Sequence, residues 1–182
     1  TLIARLRERI PLGDMLTLQE TDRALAGGDA QAARGTLSRA LGTEPEAMMG
    51  LRRVLWAIGG ENPLEAYRRD GAEVIRELEA SGRTYEEPMV LVLDYTVYRV
   101  FEDGSMLELT HNIFRLQTQE AVDAMGELAV PEEAHMLTLQ TVKQDGRRLE
   151  PDEIAGKDTI SFPSLSPGDY IEFEYVRPHP AP

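Results

Sequence analysis

The sequence predicts an α+β chain in which N-terminal helical hairpins are followed by an antiparallel β-sandwich. Three observations carry that expectation. Apolar residues recur at helical spacing as far as about residue 81 and alternate thereafter. The turn residues change with them, from Gly27-Gly28 and Gly59-Gly60 to Asp103-Gly104, Asp145-Gly146 and Pro167-Gly168. The charge changes as well: residues 1–84 hold 12 arginines against 13 acids, whereas residues 85–182 hold 7 basic and 19 acidic side chains. Almost all of the net −13 therefore belongs to the second half. The step sets the expected division, a helical region over 1–84 and an acidic β-domain with a proline-rich tail over 85–182.

Taken in order, Leu2, Ile3, Leu6 and Ile10 make a short amphipathic stripe that Pro11 and Gly13 stop. A second helix is expected from about Asp14 to Leu25 and a third from about Asp29 to Leu41, with Ala33, Leu37, Ala40 and Leu41 on one face. Leu51, Val54, Leu55 and Ile58 mark a fourth. Asn62, Pro63 and Glu65 offer an N-cap, a first-turn proline and a capping-box partner. The fifth helix would start there and run to Ser81-Gly82, burying Leu64, Tyr67, Val74, Ile75 and Leu78. A linker of low order, Ser81 to Pro88, follows.

Strands then take over. Met89 to Phe101 turns at Glu102-Asp-Gly-Ser105 and returns through Leu107, Leu109 and Ile113. Phe114 and Leu116 fall on the opposite parity, which predicts a bulge near Asn112. Gln119 to Met125 allows one or two helical turns. Leu137 to Val142 is a third strand, turning at Asp145-Gly146, and Thr159 to Phe162 is a short run before the last strand. In that strand Ile171, Phe173 and Tyr175 alternate with Tyr170, Glu172, Glu174 and Val176, as one buried face requires. Antiparallel strands with spaced turns predict the sandwich.

Composition narrows the function. A hydrophobic content of 42% supports a packed core. The acidic second half repels polyphosphate, so no nucleic acid is expected as a partner. Arg52-Arg53 and Arg68-Arg69 read as solvated helix faces. With no cysteine, disulfides, thiolate metal sites and a cysteine nucleophile within the chain are excluded. No apolar run reaches the roughly 18 residues that a membrane-spanning helix needs. The chain opens on Thr1 and closes on Arg-Pro-His-Pro-Ala-Pro, and reads as a piece of a longer protein.

Two resemblances add to this. The spacing of Ala33, Leu37, Ala40 and Pro45 resembles the second helix of a tetratricopeptide repeat, in which small residues let paired helices approach. Thr17 and Thr21, and later Tyr67 and Gly71, depart from that pattern. Residues from about 90 to 176 resemble a bacterial domain of unknown function that precedes transglutaminase-like domains, often with tetratricopeptide repeats nearby. The residues that carry it are Val100 to Ser105, then Leu109, His111 and Phe114, then Lys143-Gln-Asp-Gly146, Pro151-Asp-Glu-Ile154, Ile160-Ser-Phe-Pro163, Pro167-Gly168-Asp169 and Glu172 to Tyr175. That resemblance implies an antiparallel accessory domain, an extracytoplasmic location, and thiol chemistry confined to a downstream domain.

No candidate site survives comparison with its plainer reading. His111 shares the parity of Leu107 and Leu109 and is expected as a partly buried core histidine. Glu132-x-x-His135 has di-iron spacing, but in one copy, and His179 sits between prolines in the tail. Ser161, Ser164 and Ser166 lack a nucleophile-elbow context and read as turn residues. Glu172 and Glu174 share a face and are expected on solvated sheet surface. Leu51, Trp56 and Tyr67 fit a groove or a core equally well. No catalytic, cofactor or metal residue is therefore named.

The expected function is a non-catalytic protein-binding or scaffolding module of a larger bacterial protein, with a protein or peptide partner. Two alternatives stand beside it. The chain could be the accessory region of a thiol enzyme, or an envelope ligand binder with exposed tyrosines among Tyr95, Tyr98, Tyr170 and Tyr175.

Overall fold

The computed structural model describes residues 14–41, 49–59, 63–101, 104–151 and 159–179. The chain is α+β, with a mostly antiparallel five-stranded sheet, and divides into two compact units. One comprises Thr1–Ala66, Arg99–Leu107 and Pro178–Pro182; the other comprises Tyr67–Tyr98 and Glu108–Arg177. The cut is thus made differently from the charge step near residue 85. The expected helix over residues 2–10, Asn62, Pro45 and the turn residues Glu102-Asp103 lie outside the described residues.

In the first unit, helices α1 (Asp14–Ala26), α2 (Ala30–Leu41) and α3 (Met49–Ala57) follow in order. Gly28, at φ 76°, supplies the left-handed turn between α1 and α2. Asp29 then caps α2, its carboxylate accepting from the Ala32 amide at 2.9 Å. The stripe read from sequence is buried: Leu37, Ala40 and Leu41 of α2 meet Leu51 and Leu55 of α3. Each buried leucine contributes about 1.5–3 kcal/mol. Leu51 is core, not groove. Thr17 and Thr21, where the repeat pattern fails, are both buried, and the Thr21 hydroxyl donates to the Thr17 carbonyl at 2.8 Å.

The second unit holds helix α4 (Gly71–Ser81), helix α5 (Gln119–Met125) and most of the sheet. Strand order is β1 (Met89–Val100), β2 (Met106–Leu116), β7 (Tyr170–His179), β4 (His135–Val142), β5 (Arg148–Leu149). A separate antiparallel ribbon pairs β3 (Glu127–Ala129) with β6 (Thr159–Ser161). The parity of β7 assigns its two faces. Ile171 and Phe173 join Leu116, Phe114, α5 and Phe162 in one cluster, with Phe114 and Phe173 stacked at 6.0 Å. Tyr170 joins Ile113, Val142 and the Val74 and Ile75 of α4 in another.

Both faces of the sheet are covered, and this corrects several expectations. Ile113 and Phe114 belong to opposite faces of one continuous strand, and both parities of β2 are apolar because each face has its own cluster. A register shift falls in β4, between Met136 and Thr138. The fifth helix does not start at Pro63. Glu65–Tyr67 is a 3₁₀ turn, the chain breaks, and α4 begins at Gly71 with Asp70 as N-cap, accepting from Ala72 N–H at 2.9 Å. Tyr67 is 53% exposed and buries nothing. The linker before β1 is held: Gln117 donates its side-chain amide to the Tyr85 carbonyl at 3.0 Å and its backbone N–H to Pro88 at 2.8 Å. His179, expected in a mobile tail, is the last residue of β7 and half-buried.

The turn into β7 shows why its sequence is so particular. Asp169, 1% exposed, accepts from the Ser166 amide at 2.8 Å and the Gln144 amide at 3.3 Å, and pairs with Lys143. Lys143 also donates to the Ser164 carbonyl at 2.6 Å. Lys143-Gln-Asp-Gly146 and Pro167-Gly168-Asp169 thus form one clamp between the ends of β4 and β7. Gly168 sits at φ 97°, and a Cβ there would meet the Gln144 amide carbon at 2.5 Å. Gly168→Ala is expected to cost about 2 kcal/mol, from left-handed strain and the displaced Gln144; a denaturant midpoint within error of wild type would contradict this.

Candidate functional site

Cross-strand register in the second unit places a polar network on the α4 side of the sheet. Thr138 stands opposite Glu174 and Gln140 opposite Glu172, while Val142 opposite Tyr170 begins the apolar part of the same face. His111 reaches this face from β2. Its Nε2–H donates to Glu172 Oε1 at 3.0 Å, and Gln140 donates to Glu172 Oε2 at 2.6 Å. Arg68, in the break before α4, holds Glu174 with a fork, Nε at 3.1 and 3.0 Å and Nη2 at 2.6 Å. Thr138 adds a hydroxyl to Glu174 at 3.3 Å.

Glu172 and Glu174 are 3% and 1% exposed, and His111 is 1% exposed. The expected solvated glutamate face is therefore wrong. The acids are tolerated on this covered face because His111 of β2 and Arg68 pair them, as each buried charge requires. The helix also fixes the carboxylate sterically: Gly71, its first residue, leaves no room for a Cβ, which would come within 2.6 Å of the Glu172 carboxyl carbon. His111 Nδ1 has no hydrogen-bond partner and lies 4.0 Å from Glu174 Oε1.

Burial raises the Glu172 carboxyl pKa, but the hydrogen bonds from His111 and Gln140, with the nearby charges of His111 and Arg148, outweigh it and leave it below the ordinary value. A depressed carboxylate stabilises the fold above its unfolded value, about 4.3, and the contribution disappears as pH falls through the folded value. Glu172→Gln is therefore expected to destabilise at neutral pH, by an amount that shrinks below about pH 4. A constant difference between the two proteins across that range would refute the linkage.

The arrangement binds its own groups to one another. Among the described residues no group of three or more histidine, cysteine or acidic side chains can hold a metal ion. Glu132 lies in the turn before β4, and His135, the first residue of that strand, stands opposite Val176. Ser161 is in β6, and exposed Ser164 and Ser166 flank the Asp169 clamp. The tyrosines do not form one exposed cluster. Tyr170 is buried and donates to Glu79 at 3.3 Å, half-buried Tyr175 donates to Glu108 at 3.2 Å, and Tyr98 is 54% exposed. The side chain of Trp56 lies outside the described residues. No helix among the described residues is long and apolar enough to cross a membrane.

Sequence reasoning missed Arg68, Gly71, Gln140 and Thr138 as parts of the network. One signal was legible: a histidine on an otherwise apolar strand parity requires a partner, and Glu172 and Glu174 are acids on the other long strand of alternating pattern.

No known protein family's profile matches the chain, and no curated protein matches it. A solved structure described as a "putative protease" from Parabacteroides distasonis is similar over 49% of this chain, at 16% identity and a TM-score of 0.39. The match spans 22% of that protein's length.

Proposed function

We propose that the chain is a non-catalytic protein-binding or scaffolding module of a larger bacterial protein. The observation that carries this reading is the mutual pairing of the buried acids and bases, Glu172 with His111, Glu174 with Arg68 and Asp169 with Lys143. General acid–base work needs a group within reach of a substrate proton, and these groups are closed in on one another. Surface features supply what binding needs. Strand β1 stands at the end of the strand order, with Met89, Leu91, Tyr98 and Val100 exposed along it.

The finer architecture belongs to the same proposal. The helices of the first unit form tetratricopeptide-like hairpins, and the five-stranded sheet with its β3–β6 ribbon forms the two unequal layers of a sandwich. The sequence resemblance to domains that precede transglutaminase-like enzymes supports placing the chain outside the cytoplasm, as an accessory or substrate-presenting region.

The test is retention of proteins from bacterial envelope extracts on the immobilised chain, wild type beside Leu91→Lys, together with hydrolysis of a fluorogenic casein by the purified chain. Saturable retention that Leu91→Lys abolishes, without hydrolysis, supports the reading. Hydrolysis that persists through purification overturns it.

A further inference from the structure

Surface charge departs from the sequence expectation at Arg52, which is 4% exposed instead of solvated. The chemistry open to a partner lies along strand β1 of the second unit. Among the described strands β1 has one neighbour, β2, so its other edge carries backbone donors and acceptors that no described strand pairs. One face of β1 is closed: Val92 and Leu93 pack against the cluster of Val74 and Ile75, and Arg69 lies over the Tyr95 ring at 5.8 Å. The opposite face is open. Leu91 is 45% and Tyr98 54% exposed, and Met89, Asp94 and Thr96 are exposed with them. Thr96 meets Thr110 at 3.4 Å, and Thr110 donates to Glu108, which also accepts from Tyr175. The open face is therefore the one on which Tyr175 stacks with Phe173.

Two properties of this edge decide what it fits. It lacks the usual protection against pairing: β1 is 12 residues long and holds neither proline nor lysine, and Met89, Leu91 and Tyr98 on its open face are large and apolar. The phase of burial slips by one residue at Val92–Leu93, after which Leu93 to Tyr98 alternates without interruption. The edge is also acidic. Glu86, Glu87 and Asp94 are exposed, and no lysine or arginine lies between Arg83 and Arg99. The second unit as a whole holds 21 acidic and 10 basic side chains. A second copy of the chain would bring like charge to this edge, whereas a basic segment brings the opposite charge.

We infer that β1 takes a basic, extended segment of a partner polypeptide as an added antiparallel strand along Leu93 to Val97. The inference rests on the binding-module reading and names the chemistry of the partner. Main-chain hydrogen bonds supply affinity in such pairing, and the side chains on the open face supply specificity. Opposite Asp94 the added strand favours lysine or arginine, and opposite Thr96 a β-branched residue. An aromatic residue covers the exposed Tyr98 ring at the end of the stretch. Because the strands run in opposite directions, the segment reads aromatic, β-branched, basic at alternate positions from its N-terminus.

The test uses the whole chain and the peptide acetyl-Tyr-Val-Thr-Val-Lys-Val-Lys-amide, with affinity and amide hydrogen exchange along β1 as readouts at low ionic strength. Saturable binding is expected, with protection of alternate amides between Leu93 and Val97. Affinity should be about tenfold above that of the same peptide with glutamate in place of both lysines. Asp94→Lys, at an exposed position, is expected to reverse that preference with the fold intact. Methylating every second backbone nitrogen of the peptide, in the phase that faces β1, is expected to abolish binding while every side chain stays in place. Amides of β1 that millimolar peptide leaves unprotected overturn the inference. Equal affinity for the lysine and glutamate peptides overturns the basic assignment. Protection that appears without peptide as the chain is concentrated gives the edge to a second copy, and overturns the inference as well. Each of these failures leaves the binding-module reading standing, since retention that Leu91→Lys abolishes requires neither strand pairing nor a basic partner.

Discussion

Gly71→Ala will destabilise this protein by about 3 kcal/mol, although alanine at a helical glycine ordinarily stabilises by up to about 1 kcal/mol. Gly71 is buried, and its missing Cβ is space that the Glu172 carboxylate occupies. A long side chain end would normally swing aside at little cost. Glu172 is 3% exposed and is held from two sides by His111 and Gln140, so moving it leaves a buried carboxylate with unmet oxygens. Overpacking at about 1–3 kcal/mol combines with the loss of a charge-assisted bond at about 1.5–3 kcal/mol, and the helix propensity gain offsets only part. Chemical denaturation of Gly71→Ala, alone and combined with Glu172→Ser, measures this. The double variant should recover stability relative to additivity. A stabilised single variant would mean that Glu172 is free to move and that the network is loose.

Arg68→Leu is expected to cost a similar amount, about 3 kcal/mol. Glu174 is 1% exposed and Arg68 supplies its countercharge through a two-donor fork. Removing one partner of a buried pair leaves an uncompensated charge, at about 3–5 kcal/mol, and the lower end applies because a third of the Arg68 side chain remains in water. Arg68→Leu with Glu174→Leu should be closer to wild type than either single change, because the double variant buries no charge. Equal stability of Arg68→Leu and wild type, by urea denaturation at neutral pH, would show that Glu174 finds another partner.

The sequence was most legible where a pattern is local. The α2 stripe, the strand parity of β7 and the Asp145-Gly146 turn all rest on neighbours within a few residues. The limits of α4 were less legible, because Asn62-Pro63-Glu65 offers as good a local start as Asp70. Tertiary bonds decide between them: Arg68 must leave helical geometry to reach Glu174, 106 residues away. Burial of the Glu172–Glu174 face was illegible for the same reason. Alternating acids look identical whether water or a helix lies above them, and the covering helix is about 100 residues earlier in the chain. The β3 strand was missed because Glu127–Ala129 is three residues long and its partner, β6, is 32 residues onward.

One feature of the topology bears on how the protein comes into being. Strand β7 is made after every other strand, yet it lies between β2 and β4 in the sheet. During vectorial synthesis the two strands that flank it wait, each with an unpaired side, until some 50 further residues have left the ribosome after Leu116. At ordinary elongation rates that interval is on the order of seconds, long compared with the microseconds in which a hairpin forms. Nascent β2 carries Leu107, Leu109, Ile113 and Leu116, all of which end fully buried. A growing chain of this kind is a natural client for a holding chaperone, and β7 is the strand whose arrival releases it.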